Sequence, residues 1–148
     1  MTPKERAERA ARVMWSGDRA SHWFGMELID IDEGRAVMAM TVKRQHVNGH
    51  DICHGGVIFA LADSAFAFAC NSRNRATLAF HNSITYIAPA RLGDRLTASA
   101  REVNRIGRSG ITDVAMTNQD GQTIAEFRGV SRMIKGRLFA EETEVEKG

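Results

Sequence analysis

One acid, Asp63, sits inside the longest apolar run of the chain, Gly55 to Cys70, which reads GGVIFALADSAFAFAC. Burying an unpaired carboxylate is expensive. An acid kept in a partly dry cleft can instead serve as a general base or as a nucleophile. Just upstream the chain reads Asn48-Gly49-His50 and then His54-Gly55-Gly56. If a helix starts at these glycines, its first N–H groups lack intrahelical acceptors and carry the positive end of its dipole. Glycine lets another group approach that backbone closely. The combination suits an oxyanion hole, with donors aimed where charge develops in acyl transfer. The same glycines equally suit a plain sharp turn from loop to helix, and the pattern alone leaves both open.

Gly55 and Asp63 are eight residues apart. On a helix rising 1.5 Å per residue that is about 12 Å along the axis, so one carbonyl cannot touch both on the same chain. Two copies with antiparallel helices bring Gly55 of one to Asp63 of the other. The spacing therefore predicts a dimer with two equivalent sites at its interface.

Other nucleophile and metal patterns are weaker. His46, His50, Cys53 and His54 crowd one loop, but their spacing matches no zinc pattern and no second ligand cluster follows. No metal and no cofactor are expected. Cys53 has only the adjacent His54 as a nearby base, and activation needs an oriented pair. Cys70 reads as a small core hydrophobe. Phe59, Phe66 and Phe68 read as core, some of them bordering an acyl pocket.

These groups need elements to hold them. The run 55–70 has apolar residues on every side of a helical wheel, so its helix is buried. Sixteen residues with an acid near the middle make a poor membrane span, which needs about 20. Before it, Thr2 and Pro3 start a helix over 3–16, with Ala7, Ala11 and Met14 on one side. From Gly25 the period changes to two: a strand over 26–31, a turn at Asp32-Glu33-Gly34, and a return strand over 35–42. A polar loop over 43–56 enters the helix, and Asn71-Ser72-Arg73-Asn74 stops it. Strands then read over 76–88, 95–105, 110–118 and about 122–134. The acidic tail 136–148 reads as frayed. The fold class is α+β: one domain over 1–148, with about six mostly antiparallel strands wrapped round one long helix. An open sheet edge is predicted to pair with a second copy.

The stretch HVNGHDICHGGVIFALADSAFAFACNS resembles the active-site segment of hotdog-fold acyl-CoA thioesterases, specifically the phenylacetate-degradation (PaaI-type) branch. The resemblance continues through SITYIAPARLGDRLTASA, the IGRSG turn and AEFRGVSRMI, covering roughly Phe24 to Ile134. It implies hydrolysis of phenylacetyl-CoA or its ring-hydroxylated relatives to free acid and CoA. By resemblance, Asp63 activates water or attacks the thioester carbon directly, and the Gly55 N–H of the opposite subunit polarises the carbonyl with Gly56 in support. Asn48 orients water or thioester, and His54 braces the loop or contacts substrate. Asn82 and Ser83 line the site more loosely. Arg105, Arg108 and Ser109 are candidates for the CoA phosphates. The implied assembly is a dimer of dimers, a homotetramer.

Composition narrows the classes further. The chain has 148 residues, 43% hydrophobic and 26% charged, with a net charge of +2. That is a globular balance, too weakly basic to imply nucleic acid. The opening MTPKERAERAARVM is charged throughout and is no signal peptide. Its helix has a mostly alanine apolar side, which argues for a solvated face rather than a membrane surface. Two cysteines are too few for a disulfide framework, so a reducing, cytoplasmic setting is expected. Three alternatives stay in view. A thioesterase for medium-chain acyl groups shares every feature above. Hydratases of this fold use an Asp/His pairing that is not evident around Asp63. Acyl-CoA-binding regulators generally carry a DNA-binding domain, for which this chain leaves no room.

Overall fold

The computed structural model describes residues 1–141. Helix α1 (Pro3–Gly17) opens on a reciprocal cap. The Thr2 hydroxyl accepts from the Glu5 N–H at 3.1 Å, and the Glu5 carboxylate accepts from the Thr2 N–H at 3.0 Å. Ala7, Ala10 and Ala11 form its buried side. A second helix, α2 (Arg19–Phe24), follows at once and was not expected. Asp18 starts it by accepting from the Ser21 N–H, and Gly25, at φ +79°, ends it. Ser21 then bonds Ser64 at 3.0 Å, which fixes α2 against the central helix.

The six strands are β1 (Glu27–Asp32), β2 (Arg35–Thr41), β3 (Thr77–Tyr86), β4 (Arg95–Ile106), β5 (Ser109–Thr117) and β6 (Thr123–Met133). Their bounds fall within two residues of the expected ones. They form one antiparallel sheet in the order β1-β2-β4-β5-β6-β3. Between β2 and β3 lies α3 (Gly55–Cys70), so the chain crosses from one side of the sheet to its far edge along this helix. The polar loop before α3 contains a short 3₁₀ turn at Arg44–His46.

Helix α3 touches all six strands. Leu61, Ala62, Ala65, Phe66, Phe68 and Ala69 are buried against Met38, Met40, Leu96, Val114, Met116 and Phe127. Phe59 is half-buried and meets Phe127 edge-on, with ring centroids 5.5 Å apart. The curled sheet leaves no room for side chains everywhere: a Cβ on Gly129 of β6 would stand 2.7 Å from the Phe66 ring.

The tail departs from its expected frayed form at its start. Asn74, buried and at φ +61°, accepts from the Leu138 and Phe139 N–H groups and donates to the Phe139 carbonyl. Glu141 also pairs with Arg6 at 2.9 Å. Residues 136–141 are therefore tied down, and the remainder of that expectation, 142–148, lies outside the described residues. Among the described residues no helix is long and apolar enough to cross a membrane.

Candidate active site

Asp63 is half-buried on α3. Its Oδ1 accepts from Asn82 Nδ2 at 3.0 Å. Burial pushes the carboxyl above the ordinary aspartate value of 3.8, and the Asn82 hydrogen bond pulls part of the way back. A carboxylate that is a stronger proton acceptor than free aspartate suits a general base. Asn82 brings an unusual feature with it: its own Oδ1 is buried and has no partner.

At the start of the helix, His54 is the cap residue. Its Nδ1 accepts from the Gly56 N–H at 2.9 Å. This corrects the expected support from Gly56, whose amide is engaged. The His54 ring thereby ties the loop to the first turn of α3. The Gly55 N–H has no acceptor among the described residues. One free donor, not two, stands at the helix start.

Tyr86 is the residue that sequence reading missed. Its hydroxyl donates to the Gly55 carbonyl at 2.7 Å, and its ring lies 3.1 Å from where a Cβ on Gly55 would be. Gly55 is thus a position where only glycine fits without moving the ring. The available signal was modest: Tyr86 is the sole tyrosine, two and four residues from Ile84 and Asn82 on one face of β3. Gly55, Tyr86 and Asn48 line a cleft of ≈ 410 Å³, with Ile52, Ile58 and Ile87 as its apolar walls. The Asn48 Oδ1 is used locally, accepting from the N–H groups of His50 at 2.9 Å and Ile52 at 3.3 Å. Its Nδ2 stays available on the exposed side of that turn.

Ser83 does not join them. It pairs across the ladder with Arg128 and lines a separate cleft with Asp113 on the outer face. Neighbouring residues of a strand point to opposite faces, so Asn82 and Ser83 cannot both line one site. Arg105, Arg108 and Ser109 do cluster, at the β4–β5 turn beside Cys70 and Arg73, near the last turn of α3. Glu102 accepts from Arg73 Nη1 and forms an ion pair with Arg105, whose Nε lies 3.3 Å away. The recess there holds only ≈ 10 Å³, so any phosphate would rest on its rim.

The remaining loop groups do not converge. His46 is buried, with its Nδ1 accepting from the Lys43 N–H at 2.9 Å. Among the described residues no group of three His, Cys, Asp or Glu could hold a metal ion. Burial, with Asp94 nearby, pushes the Cys53 thiol up to about 11, and burial takes Cys70 to about 12. Neither is a thiolate at neutral pH. A further cleft of ≈ 510 Å³ between α1 and β1 contains none of the site residues.

The unclaimed Gly55 amide at the start of α3 and Asp63 two turns on thus sit apart on one helix. Residues 50–125 match the model of the thioesterase superfamily. The acyl-coenzyme A thioesterase PaaI of Escherichia coli is 41% identical over 136 residues, which is 92% of this chain and 97% of that protein. A solved structure of the E. coli PaaI protein from the phenylacetic acid degradation operon superposes with a TM-score of 0.90 at 40% identity, covering 92% of this chain and 99% of that one. A Streptococcus mutans protein bound to acetyl CoA superposes at 0.73 with 25% identity, over 76% of this chain and 90% of that one. The chain belongs to the thioesterase superfamily and has its hotdog fold, a six-stranded antiparallel sheet curled round a central helix.

Proposed function

We propose that this protein hydrolyses acyl-CoA thioesters, with phenylacetyl-CoA and ring-hydroxylated relatives as its substrates, in sites shared between two copies. The observation that carries the reading is the pairing of a raised, half-buried Asp63 with an unclaimed Gly55 N–H on the same helix. Thioester hydrolysis needs these two things: a carboxylate to deliver or activate the nucleophile, and a donor for the oxygen that becomes negative. One donor of this kind commonly contributes about 10²–10³ in rate.

The partner supplies what one chain lacks. β3 is an edge strand, and Leu78, Phe80, Tyr86 and Ile87 on or beside it are exposed at 57%, 62%, 50% and 52%. A long, apolar, unpaired edge is a template for another chain. The same strand carries Asn82 against Asp63 and Tyr86 against Gly55, so a copy paired there meets both half-sites. Dimers formed this way pair again into the proposed tetramer. The aryl preference rests on the apolar walls Ile52, Ile58, Tyr86 and Ile87 of the cleft and on the likeness to the PaaI protein. Arg105, Arg108 and Ser109 offer the CoA phosphates their cationic rim.

The test is thiol release measured with a chromogenic thiol reagent across aryl and aliphatic CoA esters. Phenylacetyl-CoA is expected to give the highest kcat/KM. Asp63→Ala should lose about 10²–10⁴ in kcat with its fold kept. A fully active Asp63→Ala protein removes the mechanism, and a higher kcat/KM on medium-chain esters removes the aryl assignment.

A further inference from the structure

Asn82 faces Asp63 only because strand β3 breaks its own alternation. On β6, Ser131 and Gly129 are two residues apart and share a face. Opposite them stand Ala79 and Asn82, which are three apart. The extra residue is a β-bulge, and the register shift falls between Ala79 and His81. Strict alternation from Ala79 would turn His81 and Ser83 inward and send Asn82 out. Bulges re-aim side chains and recur beside active sites. The position opposite Asn82 is Gly129, whose missing side chain leaves the space that the Phe66 ring occupies.

The aim is specific. Asn82 Nδ2 donates to one oxygen of Asp63 at 3.0 Å, while Asn82 Oδ1 is buried without a partner. A buried carbonyl oxygen left without a donor is costly, and such an atom calls for a bound O–H or N–H. The second Asp63 oxygen, Oδ2, likewise takes no donor among the described residues.

We infer that Asn82 is a positioning residue for the hydrolysis proposed above: its N–H fixes Asp63 Oδ1, and its Oδ1 accepts one O–H of the water that Asp63 Oδ2 deprotonates. Asp63 then works as a general base and forms no anhydride. The water oxygen bonds to the thioester carbon as its second proton-bearing bond breaks toward Asp63. The carbonyl oxygen becomes the anion held by the Gly55 N–H of the other copy. Collapse of that intermediate breaks the C–S bond, and Asp63 returns its proton to the CoA sulfur. The products are the free acid and CoA thiol, with nothing oxidised or reduced.

The test compares Asn82→Leu, which removes donor and acceptor, with Asn82→Asp, which keeps shape and acceptor but places a like charge beside Asp63. Asn82→Leu should lower kcat about 10- to 100-fold, with KM moving less than about threefold. The acid limb of kcat/KM should move to higher pH in Asn82→Leu and further still in Asn82→Asp, because one loses a bond to the carboxylate and the other adds repulsion. In an Asp63→Asn background, Asn82→Leu should add little further loss. Wild-type kcat with an unmoved limb in either variant overturns the inference, and the isosteric Asn82→Asp carries the test if Asn82→Leu does not fold. Should Asp63→Asn be inactive while both Asn82 variants match wild type, hydrolysis stands and the role of Asn82 falls. Should wild type release no thiol from any CoA ester, both readings fall together.

Discussion

Mixing two inactive proteins should produce an active one. Gly55 and Asp63 lie on one helix, eight residues apart. That is about 12 Å of axial rise. A reacting carbon must stand within about 3–3.5 Å of its attacking atom and near its donor, so one copy cannot furnish both. In Asp63→Ala both sites of a dimer lack the carboxylate. In Asn48→Asp both lack the Asn48 Nδ2 donor beside Gly55, while the side-chain oxygen still accepts from the His50 and Ile52 N–H groups, so the turn survives. A hybrid dimer collects both lesions in one site and leaves the other intact. Random re-pairing of equal amounts makes about half the dimers hybrid, so the mixture should recover about a quarter of wild-type activity. Each parent should sit about 10²-fold or more below wild type, so the rise stands clear of background. The subunits are exchanged through mild denaturant, hybrids are counted by native mass spectrometry on size-tagged chains, and thiol release is then measured. Demonstrated hybrids with activity no greater than the mean of the parents would refute the shared site.

Two stability predictions follow from the same helix. The Asp63 carboxyl is raised in the folded state, so between its unfolded and folded values the native protein holds more protons than the unfolded chain. Stability is therefore lost as pH rises through that window, and Asp63→Asn should be more stable than wild type at pH 7. The gain should vanish below the ordinary aspartate value of 3.8, read from denaturant midpoints across pH. Gly129→Ala should cost about 1–3 kcal/mol, since its Cβ would stand 2.7 Å from the Phe66 ring. Adding Phe66→Leu should recover part of that loss in urea titrations, and an unchanged midpoint for Gly129→Ala would show that the contact can relax.

The central helix was legible because an all-round apolar run has one stable environment, and Gly55 and Cys70 are its observed ends. The strands were legible from period-two patterning. Helix α2 was hidden because Arg19–Phe24 is six residues, less than two turns and too short for a period to show. Tail anchoring was hidden because Asn74, read as a stop signal, is an anchor only when Leu138 and Phe139 are beside it. Gly56 is a lesson in competition. A free helix-start amide is a general expectation, but His54 two residues earlier has a ring nitrogen that claims it.

Asn82 and Ser83 mark the limit most clearly. Their types are equally plausible in a polar site, and only one can face it. The choice is made by a bulge near Ala79, a matter of pairing with β6 that no local pattern announces. The same strand also resolves two separate costs. Leu78 and Phe80 on an unpaired edge are apolar surface in water, and in the proposed mechanism Gly55 and Asp63 are half-sites that cannot meet on one rod. Covering the edge with a second copy removes the first cost in the act of completing the second. The apolar edge and the split site therefore call for the same contact, and a substitution that disrupts β3 pairing should lower activity and assembly together.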